Sequence, residues 1–147
     1  MPLNTRMKIR LALSMLLISS AVSLSVGGIF LYVDSLVPLV LVETTVAAVL
    51  VLFALSFFVA RGSMLATNLS TILGIVAPIL SYSTPAHVGA LEQIGTGGLI
   101  SFLGTLQLLG FYVFPICFVV LRIALRKRLT SLPVKNLSPP PSLKNES

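Results

Sequence analysis

Tryptophan is absent from this chain, cysteine and histidine occur once each, and only four residues are acidic. A single cysteine, Cys117, excludes an intrachain disulfide and any metal site built from thiolates alone. One histidine and scattered acids offer no paired acid and base, so the reading is of a protein that is not an enzyme. Neither HExxH, CxxC, a P-loop nor GxGxxG is present, and no cofactor or metal is expected. Charge is also scarce, at 10% of residues, where ordinary soluble domains carry about 25%.

What fills the space is apolar. Hydrophobic residues make up 56% of the chain and the mean hydropathy is +1.04. A soluble fold of 147 residues could not bury that much apolar surface, so lipid is the expected solvent. The net charge of +6 would suggest nucleic acid in a soluble protein. Here all ten Lys and Arg residues lie in the termini or near the ends of apolar runs. That is the pattern of membrane topology, and no nucleic acid is expected.

Four apolar runs predict four transmembrane helices, at about 11–33, 36–60, 64–82 and 99–121. The last is uncharged from Leu99 to Leu121 and ends in Arg122, Arg126, Lys127 and Arg128. A run of that length is roughly 34 Å long as a helix, enough for the ~30 Å hydrocarbon core. The first run follows Arg6, Lys8 and Arg10. It continues past the ~7–15 residues of a signal-peptide core, so a retained helix is expected. Arg61-Gly62-Ser63 supplies a helix stop and a new cap, which makes the second and third spans antiparallel neighbours. Pro78 should kink the third span by removing the donor to the Gly74 carbonyl. Thr84-Pro85 opens a short helix at 85–94, expected to lie in the membrane interface with Gly95 as its close.

The fold expected is therefore an all-α, up-and-down four-helix bundle over residues 1–128, with both termini cytoplasmic. A Pro- and Ser-rich disordered tail at 129–147 follows. On this topology every basic residue falls on one side, and the opposite loops hold only Asp34 and Glu92. Such a bias orients a membrane protein, here in the cell membrane. Tyr32 and Tyr82 mark the opposite interface. The sequons at Asn68, Asn136 and Asn145 would be intramembrane or cytoplasmic and so unmodified. Size and topology match small four-helix drug exporters, but those place their working acid in the first span, which has none here. No family resemblance holds.

Within the spans, Glu43 is the one ionisable residue of the second run. Counted from the same membrane face, Glu43, Gln107, Ser25 and Gly74 lie at one depth, roughly 10 Å in. They form a candidate polar layer that would bind a proton or cation. The alternative is that Glu43 snorkels to the headgroups. Two small-residue ridges, Ser19-Ser23-Gly27 and Gly97-Ser101-Thr105, suit close helix packing, within the bundle or between subunits. Arg122, Arg126, Lys127 and Arg128 set topology or bind anionic lipid, each charge contributing about 1 kcal/mol at such a surface. Cys117 is a packing residue or an acylation site. His87 and Glu92 read as solvated loop residues, and Phe111, Phe114 and Phe118 as a packing stripe. The leading functional reading is a non-catalytic accessory or assembly subunit, or a scaffold, whose partners are lipid, other membrane subunits or a second copy. The alternative is a small oligomeric transporter or channel using Glu43.

Overall fold

The computed structural model describes residues 3–33 and 39–130. Six α-helices follow in order: α1 (Leu3–Val33), α2 (Leu39–Ala60), α3 (Met64–Tyr82), α4 (Pro85–Glu92), α5 (Gly98–Gln107) and α6 (Phe114–Thr130). A π-helical segment, Leu108–Val113, joins α5 to α6. These three pieces form one continuous helix, so four helices are long and apolar enough to span a bilayer: Thr5–Val33, Val42–Ala60, Met64–Tyr82 and Gly98–Arg126. All described regular structure is helical.

Contacts between side chains give the registers. Ser14 Oγ donates to the Ser56 carbonyl at 2.9 Å, and Gly28 faces Thr45, so α1 and α2 run antiparallel. Gly62, at φ +87°, closes the turn into α3, and Ser63 caps that helix by accepting the Ala66 N–H at 3.2 Å. Gly74 of α3 meets Pro115, while Asn68 meets Arg122, which makes α3 and the fourth span antiparallel. Ser20 donates to the Gly110 carbonyl and Gly27 faces Leu106, closing the ring of four. The beginning of α1, the α2–α3 turn and the end of α6 thus share one end of the bundle, where Arg10 packs over Gly62.

Leu13, Leu17, Leu55, Val59, Ala66 and Phe118 form the core, and it sits toward that basic end. Large apolar residues cover the outside: Leu50, Leu65 and Val120 are 63%, 70% and 59% exposed. Such a surface is stable only in hydrocarbon, where every backbone polar group must be satisfied within the helices.

Three details differ from the sequence reading. Helix α1 begins at Leu3, so Arg6 and the basic residues after it lie on the helix, and α6 reaches Thr130, two residues into the expected tail. The rest of that tail, 131–147, is outside the described residues. Pro78 lies inside α3, which stays helical through it. A further irregularity lies in the fourth span, at Pro115. Proline has no N–H and crowds the preceding turn, and the ladder widens just before it: the Phe114 N–H reaches back to the Leu109 carbonyl. The Gly110 carbonyl is thereby orphaned. Its four-residue donor, Phe114, is engaged elsewhere, and its π-helical donor would be Pro115 itself. Ser20 of α1 fills the gap at 2.6 Å. The contact is close because Gly110 lacks a side chain; a Cβ there would come within 2.9 Å of Leu24.

Candidate functional site

A polar junction lies at the end of the bundle opposite the basic residues. Helix α4 folds back against α5 there, because Gly104 leaves room for the Ala90 carbonyl to enter the helix–helix contact. One turn along α5, Gln107 Nε2 donates to Ser81 Oγ at 3.2 Å and to the His87 carbonyl at 3.1 Å. Ser81 Oγ in turn lies 3.2 Å from His87 Nδ1. With Gln107 donating to Ser81, the serine proton is available for Nδ1, an arrangement suited to neutral imidazole. The His87 ring also faces Phe111, with centroids 5.5 Å apart. Ser81 is only 1% exposed.

Burial pushes the His87 imidazole below its ordinary value of 6.5, because desolvation penalises the charged form. Protonation would also make Nδ1 a donor and leave the Ser81 proton without an acceptor. The sign follows: a histidine with a lowered folded-state value adds stability above its unfolded value and loses it as pH falls toward the folded one. Acidification below about 6.5 should therefore loosen α4 from the bundle. Amide hydrogen exchange over Pro85–Glu92 should accelerate at acid pH in the wild type, once corrected for intrinsic rates, and lose that pH dependence in His87→Gln. Equal acid sensitivity in both would contradict it.

This junction corrects the reading of His87 as a solvated loop residue and of Gln107 as a partner of Glu43. Glu43 is exposed, in the first described turns of α2. Ser25 returns its hydroxyl to the Ala21 carbonyl at 2.8 Å, and Gly74 is packed against Pro115 and Val119. Gly74 meets Pro115, roughly 12 Å along the fourth span from Gln107, so the four residues neither share a level nor face one point. Glu92 is exposed at the end of α4.

The small-residue ridges divide. In α1, Ser23 is buried against Gly110 and Gly27 faces Leu106, with Ser19 half-buried beside them, so that ridge serves the bundle. In the fourth span, Gly97 stands outside the helix at φ +84°, Ser101 accepts the Gly95 N–H at 2.9 Å, and Thr105 is exposed. The close approaches there are made by Gly104 and Gly110 instead.

Arg122 is likewise committed inside the fold. Its guanidinium donates to the Thr67 carbonyl at 2.9 Å, to Thr71 Oγ1 and to Asn68 Oδ1. It is a clasp between α6 and α3 rather than a free headgroup ligand, using the forked donor geometry that lysine lacks. Arg126 is exposed at the same end, whereas the side chains of Lys127 and Arg128 lie outside the described residues. Cys117 is exposed on α6. Phe118 is in the core, with Phe111 and Phe114 half-buried.

Sequence reasoning passes over Ser81, Ser14, Ser20, Thr67 and Thr71 as site residues. A signal existed in two of their partners. Gln107 needed partners inside lipid, and Gly104 on the same helix face marks the close contact that supplies them; Arg122 lies opposite the polar first turns of α3. No family model, curated protein or solved structure matches this chain.

Proposed function

We propose that this small multi-pass membrane protein is a non-catalytic accessory or assembly subunit, or a scaffold, held with both termini and its basic end on the cytoplasmic side of the cell membrane. One observation carries the reading, namely how the polar groups within the spans are used. Ser14, Ser20, Gln107 and Arg122 each reach from one helix to another. They tie the bundle together instead of lining a path across it. Broad outward faces such as Leu50, Leu65, Ile79 and Val120 remain for lipid or for other membrane subunits. The excess of basic residues at one end supports the orientation.

The test uses the full chain in sealed vesicles, with Cys117 replaced by serine and single cysteines introduced. A cysteine at Thr96 should react with an impermeant maleimide from outside, and one at Asn4 only after permeabilisation. The reverse pattern, or Asn4 and Ser147 on opposite faces, would overturn the orientation. In liposomes the protein should conduct no more than empty vesicles under a proton or ion gradient. A flux abolished by Glu43→Gln would replace the scaffold with the transporter reading.

A further inference from the structure

Between the four spans lies a cavity of about 280 Å³, bounded by Leu17 and Ser20 of α1, Leu52 of α2, Ala77 of α3, and Phe111 and Phe114 of the fourth span. That volume is near the lower end for small-molecule sites, which run from about 300 Å³ upward. Ser20 and Ser70 are among its lining residues. Ser20 is engaged by the Gly110 carbonyl. Ser70 is 1% exposed, lines the cavity, and its Oγ has no hydrogen-bond partner.

That hydroxyl is anomalous for its setting. A helical Ser or Thr in an apolar medium ordinarily donates to the carbonyl four residues back, as Ser25, Thr67, Thr71, Ser83, Thr84 and Thr105 do here. Ser70 does not, although a dry environment makes an unpaired donor costly. Water is a poor candidate to satisfy it, because the lining is otherwise almost wholly apolar and a buried water needs about two to four polar partners.

We infer that this cavity binds a small, neutral, membrane-soluble molecule bearing a carbonyl oxygen, which accepts a hydrogen bond from Ser70. Ser70 brings one unanswered donor, and a carbonyl oxygen answers it without bringing a further proton into the apolar lining. The route of entry selects neutrality. Val51 of α2 and Leu73 of α3, 49% and 38% exposed, flank the mouth beside Ala48. All three lie well inside their spans, so the opening faces hydrocarbon, where an ion is costly. Phe111 and Phe114 add aromatic surface to the wall, which suits a ligand with a ring of its own.

The inference rests on the membrane reading, and the experiment separates the two. An alkyl benzophenone is neutral, carries one carbonyl, and on irradiation inserts into neighbouring C–H bonds. It would be photolysed with the full-length protein in lipid nanodiscs and the adducts mapped by peptide mass. Saturable adducts are expected on the cavity-lining segments of α3 and the fourth span. Ser70→Ala should weaken the half-saturating concentration about fivefold, the effect of one neutral hydrogen bond, and leave Tm unchanged because no internal bond is lost. Ala77→Leu, and independently Ala48→Leu at the mouth, should reduce specific labelling at least about tenfold, as expected when a ligand's volume is filled. Non-saturable adducts on lipid-facing residues such as Leu65 and Val120 would overturn the inference. So would unchanged affinity, or a fall in Tm, in Ser70→Ala. Failure of the chain to enter nanodiscs would strike the membrane reading itself; insertion without saturable labelling strikes the site alone.

Discussion

Gly104→Val should detach α4 from the fourth span and destabilise the bundle by about 3 kcal/mol, the upper part of the range for overpacking a tight contact. Gly104 is buried. A Cβ there would overlap the Ala90 carbonyl oxygen and lie 3.0 Å from its carbon and 3.1 Å from Ile94 Cγ1. The obstacle is backbone, which cannot rotate out of the way as a long side chain can, so α4 itself must move. The Gln107 bond to the His87 carbonyl lies one turn away and should be lost with it. Hydrogen exchange over Pro85–Glu92 should rise sharply, while the core around Leu17, Val59 and Phe118 keeps its protection. Wild-type protection of α4 in the valine variant would show that the contact does not hold it.

The second large effect concerns the orphaned carbonyl of Gly110. Ser20→Ala should cost about 2 kcal/mol, because the carbonyl is left unpaired in a medium without water. That lies just above the largest interhelical hydrogen-bond energies measured in membrane proteins, about 1.7 kcal/mol, since here no helical donor can take over. Pro115→Ala changes that condition. It restores an N–H five residues beyond Gly110, in position to close a π-helical bond. In that background Ser20→Ala should cost less than about 1 kcal/mol, giving a coupling of at least about 1 kcal/mol between two residues that act on the same carbonyl. Reversible unfolding in mixed micelles measures all four corners of the cycle. Additive effects would mean that Pro115 is not the reason Ser20 is needed.

Both predictions concern features that local sequence does not display. Pro115 is visible in the sequence, yet its effect depends on whether the ladder breaks, kinks or widens. Ser20 on another helix, at the right height, is what makes widening tolerable. Pro78 shows the converse, since a proline in a similar setting sits inside a helix that runs on unbroken. Gln107 was recognisable as a buried polar residue in need of partners. Its partners were not, because neither the register between two helices nor the direction around each axis follows from one segment alone. Arg122 was read as the first charge outside the span and proves to be a clasp. The cluster that receives it is contributed by residues more than fifty positions earlier in the chain.

The sequence by itself determined that there are four spans, where each runs, the Gly62–Ser63 turn between the second and third, and the short helix after Thr84-Pro85. Those are local properties: hydrocarbon forces each segment to satisfy its own backbone, so uncharged length and capping residues suffice to place a helix. Only the tertiary structure decided which faces meet, that Glu43 is exposed, that Ser81 and His87 receive Gln107, and that Ser70 is left unpaired beside a cavity. Those outcomes depend on how closely two backbones approach at Gly74, Gly104 and Gly110, and that is a property of helix pairs rather than of any one stretch of chain.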